Sequence, residues 1–138
     1  MRNEIRITMT ENFNLKTELN KYFGFTEFLG KQEEIIESIL DGEDLCVVMP
    51  TGAGKSLCYQ LPILMKSGYG IVVSPLISLM KDQVDALRRK NISASFINST
   101  MNMSDQRQVI SDVAMGRTKL LYIAPERFSM GQFRELLR

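Results

Sequence analysis

No histidine occurs among the 138 residues, and cysteine occurs only twice. Cys46 and Cys58 stand twelve positions apart, so neither a zinc site nor a C-x-x-C redox pair can be assembled from this chain. The expectation is two buried thiols in a reducing cytoplasm, free cysteine being among the most buried residue types. Long apolar runs are missing too. The opening "MRNEIRITMTENFN" lacks the apolar core of a signal peptide, and no stretch approaches the roughly 18 apolar residues that a membrane span needs. A cytoplasmic, soluble protein without a membrane partner is expected. Neither sign of charge prevails. The formal net charge of +1 argues against a surface that binds polyanions everywhere, and leaves open a local basic groove balanced by acids elsewhere. No internal repeat, low-complexity tract or linker interrupts the chain. What is present, 44% hydrophobic and 24% charged residues, suffices for the core of one ordinary globular domain.

Short apolar runs alternate with amphipathic segments. Leu45 to Met49, Ile71 to Ser74, Ala94 to Ile97 and Leu120 to Ala124 read as strands, being β-branched or aromatic and bounded by Gly, Pro or Asn. The first two and the last are apolar throughout, as strands covered on both faces of a parallel sheet are. Helices are predicted over Asn14 to Phe23, Glu33 to Leu40, Leu79 to Lys90 and Ser104 to Met115, with Gly42 and Gly116 as stops. Ser129 and Gln132 form a capping box for a last helix. This alternation predicts an α/β fold: an open, mostly parallel sheet with flanking helices and right-handed crossovers.

"MPTGAGKSLCYQ", Met49 to Gln60, carries the chemistry. Met49 ends the expected first strand, Pro50 to Gly54 form a turn, and Lys55 starts a helix, which is the setting of a phosphate-binding loop. Thr51, Gly52, Ala53 and Gly54 would wrap the phosphates, the two glycines turning backbone N–H groups inward without a Cβ in the way. Lys55 would reach the β- and γ-phosphates and Ser56 would hold Mg²⁺, at a helix N-terminus whose dipole favours the same anion. The first glycine of the usual G-x-x-x-x-G-K-(S/T) pattern is replaced by Met49. Kinases and GTPases mostly keep that glycine, whereas helicase-type motors commonly show P-T-G-x-G-K-(S/T).

With "FGFTEFLGKQEEII", "VVMPTGAGKSLCYQLP", "VVSPLISLMKDQVDAL", "NST" and "LLYIAPERF" in this order, residues 19 to 137 resemble the start of a RecQ-family ATP-dependent DNA helicase. The resemblance implies a P-loop NTPase, RecA-like helicase domain, with residues 1–138 forming the front part of the first such domain. It further implies ATP and Mg²⁺ as cofactors, single-stranded or partly duplex DNA as partner, and 3′-to-5′ unwinding in recombination and repair. Association with the nucleoid follows if the source is bacterial. Carried over by position, Gln32 would read the adenine edge, its amide offering both an acceptor and donors, and Phe25 would stack on the base. The family usually has arginine after the phenylalanine at position 28; Leu29 stands there and can only pack, which implies weaker nucleotide binding or an altered adenine pocket. Ser74, Pro75, Leu76, Ser78 and Lys81 resemble a motif that grips single-stranded DNA. Pro125, Glu126 and Arg127 resemble a second, with Arg127 on a phosphate and Glu126 orienting it. Read without the resemblance, Gln32 is a solvent-facing helix residue, Lys81 a solvated cation and Glu126–Arg127 an exposed pair.

Phosphoryl transfer needs further acids, normally written D-E-x-H in such motors, and no adjacent Asp-Glu occurs here. The resemblance puts that motif shortly after Arg138, followed by a second RecA-like domain with arginine fingers. Lys55 and Ser56, the catalytic residues of the phosphate loop, are therefore expected not to turn over ATP in this chain alone. A noncatalytic nucleotide- or DNA-binding remnant is the alternative. A P-loop kinase or GTPase lacks its acceptor-site or guanine-reading motif.

Overall fold

The computed structural model describes residues 14–50, 52, 54–129 and 131–136. Its elements in chain order are α1 (Leu15–Phe23), α2 (Gln32–Leu40), α3 (Lys55–Met65), β1 (Gly70–Val73), α4 (Ile77–Arg89), β2 (Ala94–Ile97), α5 (Met103–Ala114), β3 (Leu120–Ile123), a 3-10 turn (Pro125–Ser129) and α6 (Gly131–Leu136). Local chemistry sets the ends. The Asn14 side chain accepts from Lys16 N–H at the head of α1, and Asn102 does the same for Asp105 at the head of α5. Leu15, Leu19 and Phe23 recur at helical spacing and are buried. Of the expected Ser129–Gln132 box, Ser129 Oγ donates to Glu126 O at 2.9 Å, and the Gln132 side chain lies outside the described residues.

The sheet has three parallel strands in the order β1-β3-β2. Gly70 pairs with Leu120 and Val73 with Ile123 on one side of β3; Ala94 pairs with Leu120 and Ile97 with Ile123 on the other. The central strand is buried along its whole length, and its side chains alternate between two cores, as the strand period of two requires. Leu120, Tyr122 and Ala124 join Leu19, Ile36, Leu61, Met80 and Val84 of the first four helices. Leu121 and Ile123 join Ile97 and Val113, with Val109, Ile110 and Phe128 packed against them. Helices thus cover both faces, and β1 is pressed against α3: a Cβ on Gly70 would come within 3.0 Å of the Ile63 side chain.

Leu45 to Met49 is not a strand in this structure. Leu45, Val47 and Val48 are exposed, Val48 at 93%. A strand exists by virtue of a ladder partner for its N–H and C=O groups, and the three-stranded sheet pairs only β1, β3 and β2. The residues carry the pattern of a strand covered on both faces, and the described residues offer no such cover. The same opening overturns half of the cysteine expectation: Cys58 is buried within α3, whereas Cys46 is exposed. Among the described residues no helix is long and apolar enough to cross a membrane.

Candidate functional site

The expected phosphate loop before α3 is described at Gly52 and Gly54. Gly52 and Gly54 take φ of +83° and +78°, a region open mainly to glycine. Gly54 caps α3 without a side-chain hydrogen bond, so the N–H groups of the first turn are left for an anion. Lys55 opens the helix and is exposed; Ser56 follows, half-buried. Thr51 and Ala53 lie outside the described residues.

Gln32 is clamped to this turn. Its Nε2 donates to Gly54 O at 3.0 Å, and its Oε1 accepts from Leu29 N–H at 2.8 Å. At 3% exposure it is not a solvent-facing helix residue. A Cβ on Gly54 would meet Gln32 Nε2 inside 3.0 Å, so glycine is required there for closeness as well as for backbone conformation. Phe25 is exposed, with Lys90 Nζ at 5.8 Å from its ring centroid. Leu29, also exposed, forms with Ile35 and the open 46–50 stretch the wall of a cavity of about 510 Å³.

The two expected strand-gripping segments leave the carboxyl ends of neighbouring strands, where open α/β sheets hold ligands. Ser74 N–H donates to Ile123 O at 3.0 Å, tying the end of β1 to the end of β3. Ser74 Oγ accepts from Leu76 N–H at 3.3 Å; Pro75, Leu76 and Ser78 are exposed. Lys81 is exposed and paired with Asp85 at 3.2 Å, one helical turn on, an arrangement worth little in water and easily exchanged for a phosphate. Pro125 and Glu126 are exposed and Arg127 half-buried in the 3-10 turn. At the end of β2, the "NST" stretch makes a local turn: buried Asn98 accepts through Oδ1 from Thr100 N–H at 3.0 Å and from Thr100 Oγ1 at 2.6 Å.

Sequence reasoning missed a set of polar side chains under these segments. Gln83 Nε2 donates to Ser56 Oγ at 3.3 Å, Gln60 Nε2 donates to Gln83 Oε1 at 2.9 Å and to Tyr122 OH at 3.1 Å, and the Tyr59 and Tyr122 hydroxyls lie 3.4 Å apart. Gln60 is 6% exposed and Tyr122 1%. Burial, with the neighbouring Tyr59 hydroxyl, pushes the Tyr122 hydroxyl above its ordinary pKa. The available signal was a tyrosine inside an otherwise aliphatic strand, whose hydroxyl must find a partner, and a glutamine four residues after Ser56 on the same helical face. Ser56, Ser74, Gln83 and Tyr122 share a cavity of about 70 Å³, so the serine expected to hold Mg²⁺ and the first segment expected to grip DNA are neighbours.

Comparison with known proteins agrees with this geometry. The model of the DEAD/DEAH box helicase family matches residues 30–136. The ATP-dependent DNA helicase RecQ of Haemophilus influenzae is 48% identical over 119 residues, covering 86% of this chain and 19% of that protein. RecQ of Bacillus subtilis is 45% identical over 121 residues (87% and 20%), and that of Synechocystis 39% over 130 residues (94% and 27%). The chain thus spans between 19% and 27% of the length of these relatives. The crystal structure of a hypothetical ATP-dependent RNA helicase from Sulfolobus tokodaii superposes with a TM-score of 0.66 at 21% identity, covering 88% of this chain and 36% of that one, which shows the shared fold.

Proposed function

The chain belongs to the DEAD/DEAH box helicase family, and from that premise we propose that it forms the front part of the first RecA-like domain of a RecQ-type, ATP-dependent, 3′-to-5′ DNA helicase acting in recombination and repair. The observation that carries the reading is the meeting of an uncapped, glycine-bounded N-terminus of α3 with Ser74, at the carboxyl ends of parallel strands. Gly52, Gly54 and the first turn of α3 hold the phosphates, Lys55 neutralises the β- and γ-phosphate charge, and Gln32 with Phe25 selects adenine. Ser74 to Leu76, Ser78, Lys81 and Pro125 to Arg127 hold one DNA strand by its phosphates, giving grip without base reading. In the longer protein a second RecA-like domain closes on the nucleotide, and alternate closing and opening moves the pair along one strand. Such a protein works in the cytoplasm, at the nucleoid if bacterial.

The residues fit a phosphate-bridged Mg²⁺ and do not fit a protein-caged one. Ser56 offers one oxygen at the helix start, and among the described residues no group of three or more His, Cys, Asp or Glu side chains is placed to hold a metal; Mg²⁺ commonly keeps waters and substrate phosphates as its other ligands. When bound it neutralises charge developing on the transferred phosphoryl group. We expect the 138-residue chain to bind nucleotide without appreciable hydrolysis or unwinding. A fluorescent ADP analogue should bind the chain and lose at least tenfold in affinity on Lys55→Ala. Steady-state turnover on the scale of a complete helicase, abolished by Lys55→Ala, would refute the expected inactivity; nucleotide-dependent affinity for single strands without turnover is the behaviour of a binding remnant.

A further inference from the structure

We propose that Gln83, Gln60 and Tyr122 form a reversible hydrogen-bond relay that couples the state of the Ser56 hydroxyl to the two strand-gripping segments. The proposal rests on the reading of Ser56 as a ligand of nucleotide-bound Mg²⁺. In the structure the relay runs one way: Gln60 donates to Gln83 and to Tyr122, and Gln83 donates to Ser56 Oγ. Ser56 is therefore an acceptor. A serine oxygen committed to a cation is a poor acceptor and a strong donor, so Ser56 then turns its O–H toward Gln83.

Gln83 meets a donor only by presenting Oε1, which swings its Nε2 toward Gln60. Gln60 in turn presents Oε1, accepting from Gln83 Nε2 and from the Tyr122 O–H, and the Tyr122 oxygen accepts a hydrogen bond from the Tyr59 O–H. Each hydrogen bond of the set has a counterpart in the reversed direction, so the set favours two arrangements over partial ones, as buried networks in a low dielectric do. The 70 Å³ cavity bounded by Ser56, Gln83 and Tyr122 gives the amide room to turn. The far ends of the relay are the strand-gripping elements themselves: Gln83 sits on α4, two residues after Lys81, and Tyr122 on β3, three residues before Pro125. Gln83, Gln60 and Tyr122 act here as positioning residues, through Ser56 and the elements they stand on.

The test measures, on the 138-residue chain, binding of a fluorescent ADP analogue with Mg²⁺ and with chelator, and binding of a labelled oligothymidylate with and without MgADP. In the unsubstituted chain, MgADP should change oligothymidylate affinity fivefold or more, in the usual range of coupling between sites. Gln83→Met should reduce the Mg²⁺-dependent gain in ADP affinity about fivefold, the worth of one hydrogen bond, while leaving Mg²⁺-free ADP binding unchanged. Gln83→Met and Gln60→Met should each bring the oligothymidylate ratio close to one. Tyr122→Phe removes only the far hydroxyl; it should lower the DNA ratio and spare the Mg²⁺ gain, and it serves if Gln60→Met does not fold. The relay is overturned if the unsubstituted chain shows no such ratio, or if the folded variants keep both quantities unchanged. If Lys55→Ala leaves ADP affinity intact, the phosphate-loop reading itself has failed; if Lys55→Ala abolishes binding while the relay variants change nothing, the relay alone has.

Discussion

Replacing Gly54 by alanine sets two penalties against each other's control. The residue sits at φ +78°, and an L side chain in the left-handed region costs about 1–2 kcal/mol. The added Cβ would also lie inside 3.0 Å of Gln32 Nε2. Gln32 is 3% exposed, so pushing it off Gly54 O leaves a buried amide without its acceptor, at about 1–3 kcal/mol. Together the substitution removes about 2–5 kcal/mol, a large part of the roughly 5–15 kcal/mol that holds a domain folded. Urea unfolding followed by circular dichroism would register this as a midpoint lower by about 1 M or more, at slopes of about 1–3 kcal/mol per M. The decisive experiment is the double-mutant cycle. In a Gln32→Ala background the steric partner is gone and only the backbone penalty remains, so Gly54→Ala should then cost about 1–2 kcal/mol, with a coupling of about 1–3 kcal/mol between the two positions. Equal costs in both backgrounds, within about 0.5 kcal/mol, would refute the clamp.

Three further perturbations test other parts of the structure. Leu29→Arg puts a cation in the wall of the cavity that Leu29 shares with the 46–50 stretch; fluorescent ADP should bind about threefold to tenfold tighter, and unchanged affinity would remove Leu29 from the nucleotide pocket. Val48→Asp should alter unfolding free energy by less than about 0.5 kcal/mol, because Val48 is 93% exposed; a loss above about 2 kcal/mol would mean that the 45–49 stretch is buried as a strand. Cys46 should react with a thiol reagent at the rate of a free thiol and Cys58 only on unfolding, as read by mass spectrometry. Burial raises the pKa of Cys58 from 9.0 and that of Tyr122 above its ordinary 10.0, so both favour the neutral form when folded. Their contribution is fully present below those ordinary values and is lost as pH rises through the raised ones. The urea midpoint should therefore fall between about pH 9 and pH 11, less steeply in Tyr122→Phe; a flat midpoint in that window would contradict the burial.

What the sequence made legible was whatever depends on neighbours in the chain. The β3 strand was readable because Leu120 to Ile123 is apolar throughout and is buried throughout. The ends of α2 and α5 were readable from Gly42 and Gly116, which stand two residues past Leu40 and Ala114 at positive φ. The turn before α3 was readable because Gly52, Gly54 and Lys55 stand within a single loop, the glycines at positive φ and the lysine at the helix start. Where the outcome depends on partners far away in sequence, reading failed. The Leu45 to Met49 pattern states a preference for cover and cannot supply it, so strand and burial of Cys46 both failed together. Gln32 was read by local pattern as facing solvent, and is instead held by a carbonyl 22 residues on. The Gln60–Gln83–Tyr122 set spans 62 residues; a tyrosine in an aliphatic strand signals that its hydroxyl needs a partner, and the strand alone does not say which.

The open 45–49 stretch also governs how the molecule behaves in company. It is an uncharged, proline-free row of apolar side chains to which the sheet of the described residues gives no ladder partner, the composition that templates pairing with any strand that comes near. A formal net charge of +1 supplies little mutual repulsion to keep copies apart. At high concentration this stretch therefore offers copies of the chain a place to pair, and covering Val47 and Val48 should reduce that association.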